Sequence, residues 1–148
     1  MTHPALRIKK LHEQASVPAY QSKEAAGLDL SACLPEGPVT LAPGDIAGIP
    51  CGFAMAIPVG FEAQVRPRSG LAIKHGISLP NTPGTIDSDY RGQVIVPLIN
   101  LGRKAFEITH GMRIAQMVIA PVARAEVSVV DSLETTERGA GGFGSTGV

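Results

Sequence analysis

The sequence predicts an all-β domain, a jelly-roll-like barrel or sandwich with one short helix and a flexible glycine-rich C-terminal tail. Three observations predict it. Seventeen glycines and twelve prolines punctuate 148 residues, a density that long helices do not survive. Between those breaks lie runs rich in Val, Ile or Phe, each about as long as one strand. After Val130 the chain becomes polar and then glycine-rich, with no apolar periodicity.

Among the strands expected in chain order are Gly60–Val65, Val94–Ile99, Ile114–Ile119 and Ala125–Val130. Turn signals separate such runs: Pro43-Gly44-Asp45, Pro58-Val59-Gly60, Pro83-Gly84 and Asn100-Leu101-Gly102. The helix is expected at Gly70–His75, where Leu71, Ala72 and Lys74 are good formers and Gly76 can end it. No internal repeat or interdomain linker interrupts the chain. The organisation expected is one β domain over 1–130 and a tail over 131–148.

A hydrophobic content of 44% excludes disorder of the whole chain. The formal net charge is zero, so stable nucleic-acid binding is not expected. Any phosphate site must be local, built from a few arginines and backbone N–H groups. Two cysteines, Cys33 and Cys51, are too few for a disulfide scaffold and are expected to be buried, reduced thiols. Met1 to Lys10 lacks a continuous apolar stretch of the secretory type, and no apolar run approaches ~20 residues. The expected compartment is the cytoplasm, without a membrane partner.

Three stretches carry chemistry. In Arg66-Pro67-Arg68-Ser69-Gly70, two arginines offer forked donors to phosphate oxygens, and Ser69 with its neighbouring N–H groups adds an anion-binding corner. Alone, it reads equally as a surface turn with solvated arginines. In Asn81 to Gly92, an amide precedes Asp87 and Asp89, followed by Tyr90. If Ile86–Tyr90 is extended, the two carboxylates share a face, where they can bind a cation or act as acid and base. The competing explanation is that Asn and Asp cap a hairpin. In the tail, Gly139 to Gly144 matches G-x-G-x-x-G, but the chain ends where a Rossmann helix would start, and no lysine precedes Ser145 as in a P-loop. What remains is a strip of backbone donors with Arg138, Ser145 and Thr146, able to wrap phosphates while Phe143 stacks on a base; a disordered terminus is the alternative. His3, His12, His75 and His110 lack metal-ligand spacing, which argues against zinc. Ser69 is not in a G-x-S-x-G elbow.

Five segments, in order, resemble the motifs of the trimeric dUTPase family. They are Ala26–Ala32, Pro67–Ala72, Gly84–Gly92 with Asn81 upstream, Gly111–Gln116, and Arg138–Gly147. Leu28 stands where the family often has an aromatic and Met112 where it often has an acid. The resemblance implies hydrolysis of dUTP to dUMP and pyrophosphate, keeping uracil out of DNA and supplying dUMP for thymidylate synthesis. It implies that Asp87 orients and deprotonates the water attacking the α-phosphorus. Arg68, Ser69, Gly70 and Gln116 would hold the phosphates, and Mg²⁺ would ride mainly on the triphosphate, with Asp29 touching it through water. Asn81, Thr85 and Ile86 would read the uracil edge, Tyr90 would exclude a 2′-hydroxyl, and Ile95 would floor the pocket. Arg138, Ser145 and Thr146 would hold the γ-phosphate while Phe143 covers the base. The resemblance also implies a homotrimer with sites shared between subunits. The competing functions on the same fold are dCTP deamination and a nucleotide-binding signalling role.

Overall fold

Alternation between buried and exposed positions turns the short apolar runs into strands. The computed structural model describes residues 3–147, so Met1, Thr2 and Val148, the ends of the expected domain and tail, lie outside the described residues. Along the chain run β1 (Arg7–Lys10), β2 (Ala19–Tyr20), β3 (Leu28–Ser31), β4 (Val39–Leu41), β5 (Ile46–Ala56) and β6 (Phe61–Arg66). They are followed by α1 (Ser69–His75), β7 (Ile77–Ser78), β8 (Gly84–Ile86), β9 (Gln93–Asn100), β10 (Phe106–Ile108) and β11 (Arg113–Pro121). The pairing is antiparallel, in sheets ordered β1-β5-β9-β7 and β2-β3-β11-β6-β8, with β4 and β10 as a separate pair. This is the jelly-roll-like, all-β architecture with a single short helix that the sequence predicts.

One core draws on both larger sheets. Leu30, Ala63, Val65, Ile114 and Met117 enter it from the five-stranded sheet, and Ile49, Phe53, Met55, Val94, Val96 and Leu98 from the four-stranded sheet. On β9 the alternation is strict: Val94, Val96, Leu98 and Asn100 are buried while the residues between them are not. Burying each large apolar side chain contributes about 1.5–3 kcal/mol. Two strand prolines survive because a neighbour is missing beside each. Pro50 on β5 lies outside the Phe53–Ala56 stretch that pairs β1, and Pro97 on β9 lies before the Ile99–Asn100 stretch that pairs β7.

The helix begins one residue earlier than expected and ends as expected. Gly76 caps it in the left-handed region, φ 69°, with its N–H bonded to the carbonyl of Ala72 at 2.9 Å. A side chain there would strike the backbone of Gly102. Asn100, wholly buried, organises the loop opposite. Its Nδ2 donates to the carbonyls of Leu41 (2.9 Å) and Lys104 (2.8 Å), and its Oδ1 accepts the Gly102 N–H at 2.9 Å. Every polar group of this buried amide is thus used, which is what makes its burial tolerable.

Gly60–Val65 corresponds to β6, shifted by one residue, and Val94–Ile99 and Ile114–Ile119 fall within the longer β9 and β11. The expected strand Ala125–Val130 does not form. Its residues are exposed, Val129 at 98%, and among the described residues they pair with no strand. β-propensity is satisfied only by a partner edge, and among the described residues none pairs with this segment. Residues 131–147 are likewise without strands and exposed, apart from the partly covered Gly142.

Both cysteines are free and buried, as expected. Burial, and secondarily the neighbouring Cys33, pushes the Cys51 thiol from 9.0 up to about 12. The folded chain therefore keeps this proton when the unfolded chain has lost it. That contribution is intact below pH 9.0 and is lost as pH rises through about 12. Melting temperature should fall across this alkaline window, and Cys51→Ala should make the fall shallower. Paired melting curves of the two proteins across that window check it, because other alkaline titrations are common to both; identical slopes would contradict it.

Candidate active site

Three neighbouring strands bring one group of predicted residues together. Gln116 on β11 stands opposite Asp29 on β3 and opposite Arg66 on β6. Directly paired residues share a face, so Asp29 and Gln116 project to the same side. Gly27 makes room for Gln116, since a Cβ there would lie 2.8 Å from its Oε1. Gln116 Nε2 donates to the carbonyl of Pro67 at 3.1 Å, tying β11 to the segment that leads into α1. Arg68 at the N-cap, with Ser69 and Gly70 in the first turn, completes a polar hollow of about 260 Å³ walled by Asp29, Arg68, Ser69, Gly70 and Gln116. The hollow gathers Arg68, Ser69, Gly70 and Gln116, the residues that the sequence offers as candidate phosphate ligands, into one corner.

One residue of this corner, Arg113, is not visible in the sequence pattern. Strict alternation back from Gln116 would send Arg113 toward the core. A β-bulge between Arg113 and Ala115 instead buries Ile114 and Ala115 in succession and returns Arg113 opposite Ser31, on the face of Asp29. There Arg113 Nη1 donates to Asp29 Oδ2 at 3.0 Å, while Arg68 Nε lies 3.8 Å from Asp29 Oδ1. Arg68 Nη1 also donates to the carbonyl of Arg113 at 2.9 Å. Arg68 is therefore held in place by both the backbone of Arg113 and the carboxylate of Asp29. A period-2 reading carries no signal for a bulge, so Arg113 goes unseen.

A second hollow, about 210 Å³, is lined by Thr85, Ile86, Asp87, Tyr90, Gln93, Val94 and Ile95. Its walls come from different sheets, since β8 pairs with β6 whereas β9 pairs with β5. The expected hairpin is thus an arch between sheets rather than a two-stranded ladder. β8 stops at Ile86 and a turn follows, in which the Tyr90 N–H bonds the Asp87 carbonyl at 3.2 Å. The extended Ile86–Tyr90 that would put Asp87 and Asp89 on one face is therefore absent, because Asp-Ser-Asp favours a turn over a ladder. Tyr90 is pinned across the arch by its hydroxyl, which donates to the Gln93 carbonyl at 2.9 Å, over a glycine, Gly92, whose Cβ would collide with the ring. Ile95 lies over Gly48, where a Cβ would approach it at 3.1 Å. Asn81 is not in the lining but stands next to it, its Nδ2 3.2 Å from the Cβ position of Gly84, the residue before Thr85. Asp87 is exposed.

The two hollows share no residue and sit at opposite ends of β6. Ile86 pairs with Ala63, so Asp87 comes beside Glu62, with which it lines a further cavity. Arg68 follows six residues later, about 20 Å away at ~3.3 Å per residue. Arg138, Phe143, Ser145 and Thr146 line neither hollow and are mostly exposed; Phe143 adopts φ 51°. Among the described residues, no three of His, Cys, Asp and Glu cluster to hold a metal ion, and no helix is long and apolar enough to cross a membrane.

The family model for dUTPase matches residues 13–147. The deoxyuridine 5'-triphosphate nucleotidohydrolase of Desulfotalea psychrophila is 64% identical over 136 residues, 92% of this chain and 90% of that protein. The protein of the same name from Roseobacter denitrificans is 65% identical over 131 residues, 88% of this chain and 86% of that one. Among solved structures, the Staphylococcus bacteriophage 80alpha dUTPase with dUPNHPP has a TM-score of 0.88 at 28% identity, covering 97% of this chain and 99% of that chain.

Proposed function

The chain belongs to the dUTPase family, and from that premise we propose how its own residues hydrolyse dUTP to dUMP and pyrophosphate. The single observation that carries the reading is the phosphate corner, where Arg68, braced by Asp29 and Arg113, faces a hollow shared with Ser69, Gly70 and Gln116. A guanidinium held in place costs no reorganisation when charge develops. Arg68, the Ser69 hydroxyl, the first-turn N–H groups and the Gln116 amide are assigned to the α- to γ-phosphates. Asp87 takes the proton of a water as the water's oxygen attacks the α-phosphorus; the bond to the bridging oxygen breaks and pyrophosphate leaves.

The nucleoside is assigned to the arch. At about 210 Å³ its hollow is smaller than the ~300–1,000 Å³ usual for whole ligands, so it suits the base and sugar and leaves the phosphates outside. Asn81 and backbone groups of Thr85 and Ile86 read uracil, the pinned ring of Tyr90 leaves no space for a 2′-hydroxyl, and Ile95 closes the floor. Mg²⁺ fits this donor set only as an ion carried by the substrate. Asp29 Oδ2 is engaged by Arg113, which leaves Oδ1 to accept from a metal-bound water. When bound, the ion neutralises phosphate charge.

A general base must stand within hydrogen-bond reach of its water, at ~2.6–3.2 Å. Asp87 and Arg68 of one chain, about 20 Å apart along β6, do not meet that condition. The proposed enzyme is therefore a homotrimer in which the arch of one subunit faces the phosphate corner of another. The domain over 1–130 supplies both halves, and the tail over 131–148 is the lid, bringing Arg138, Ser145 and Thr146 to the γ-phosphate and Phe143 to the base. The proposed compartment is the cytoplasm, where reduced thiols such as Cys33 and Cys51 persist.

Pyrophosphate release from dUTP, dCTP, dTTP and UTP, each with Mg²⁺, tests reaction, base and sugar together. Release from dUTP alone is expected. Ammonia from dCTP would replace this reading with deamination, and equal turnover of UTP would remove Tyr90 from sugar selection.

A further inference from the structure

Away from the two hollows, one cleft gathers charge of a single sign. It lies between α1 and the loop before β10, has a volume of about 410 Å³, and includes Lys74, His75, Arg103 and Lys104 with no carboxylate in its walls. In a chain of zero formal net charge this is a local excess. Among the described residues the ion pairs are those of Asp29 with Arg68 and Arg113, so Lys74, Arg103 and Lys104 form none there. The cleft is also rigid. Asn100 holds the Lys104 carbonyl and the Gly102 N–H, the Leu101 N–H bonds the Gly76 carbonyl at 2.8 Å, and the His75 ring packs on Phe106 at 4.8 Å. Complementing the carbonyl end of a helix accounts for Lys74, but not for Arg103 and Lys104 on the facing loop. Unpaired cations fixed on two facing walls focus a positive potential that suits an anion.

The opposite charge stands in the tail. Asp131–Glu137 contains Asp131, Glu134 and Glu137, no basic residue, and is exposed throughout. Its approach route points to another copy. β11 ends with Pro121 opposite Phe61, at the end of β6 remote from α1. Residues 122–130 contain no Gly, Pro, Asn or Asp to reverse the chain. We propose that the cleft of Lys74, Arg103 and Lys104 receives the acidic stretch Asp131–Glu137 of another copy's tail. This rests on the lid reading above and adds the dock that aims the lid. The spacing agrees: α1 spans about 10 Å at ~1.5 Å per residue. An extended tail covers about 13 Å from Glu134 to Arg138 at ~3.3 Å per residue. With Glu134 at the His75 end of α1, Arg138 arrives at the Ser69 end, beside the phosphate corner.

The test uses the full-length enzyme. The chain has no tryptophan, so Phe143→Trp gives one fluorophore on the lid. A non-hydrolysable dUTP analogue with Mg²⁺ should change its emission. Adding R103E/K104E should raise the analogue concentration at half-change, and the KM for dUTP, about tenfold, with a smaller effect on kcat. Added salt should narrow the gap between the two proteins. E134K/E137K in the tail should give the same shift, and joining both pairs of reversals should recover most of it. Cleft- and tail-reversed proteins that fold and titrate like the parent would overturn the dock while leaving the lid intact. No emission change in the parent, with turnover surviving removal of residues 138–148, would instead remove the lid and the dock with it.

Discussion

Asp87→Asn should lower kcat by about 10²–10⁴-fold while dUTP affinity stays near that of the parent. The substitution keeps the shape while removing the negative charge and, with it, the ability to take a proton. It should also leave the fold untouched, because the Asp87 side chain is exposed and, among the described residues, enters no hydrogen bond or ion pair; its backbone carbonyl closes the turn to Tyr90. Single-turnover rates and calorimetric titration with a non-hydrolysable analogue separate the two quantities. Unchanged turnover would take the water-activating role away from Asp87. Weakened binding with unchanged kcat would recast it as a ligand for the sugar or for water near the base.

The second large effect comes from the tail. Removing residues 138–148 should leave melting temperature and oligomeric mass unchanged, since the last strand ends at Pro121 and the residues removed are almost all exposed. Turnover should fall about 10²-fold or more, the scale on which loss of a transition-state donor is felt. Three such donors, Arg138, Ser145 and Thr146, leave together with the aromatic cover of Phe143. Circular-dichroism melts, sedimentation and steady-state kinetics on the truncated protein make the comparison. A truncated chain that fails to fold would show the tail to be structural; full activity would show it to be dispensable.

How far the sequence reaches depends on how local each signal is. α1 is legible because its formers and its stop, Gly76, are neighbours in sequence. β6, β9 and β11 are legible because each is a run of Val, Ile or Phe between turn residues. β5 is hidden, since Gly48, Pro50 and Gly52 interrupt what becomes the longest strand; missing neighbours and a shift of register after Pro50 accommodate them. The two-residue strands β2 and β7 are too short to leave a pattern. In the proposed phosphate corner, Arg68, Ser69, Gly70 and Gln116 are legible through two motifs, whereas Arg113, although inside the second, reaches the face of Asp29 only through a bulge. The separation of the two hollows along β6 is likewise a matter of register, which no single segment reveals. Leu28, an unusual residue for its motif, is buried between Tyr20 and Met117 and serves the core.

The unpaired run Ala125–Val130 carries a liability for the newly made chain. Val127, Val129 and Val130 stand exposed on a β-prone segment with free backbone groups, the composition that recruits strands from the wrong neighbour. While no partner edge covers it, this segment is a sticky edge, and crowding during synthesis favours aggregation. Arg124, Glu126 and Ser128, alternating with Ala125, Val127 and Val129, act as gatekeepers: their charge and polarity penalise dry stacking of one such edge on another. Replacing that polar set with valine would leave the folded domain as it is and make production of the protein the step that fails.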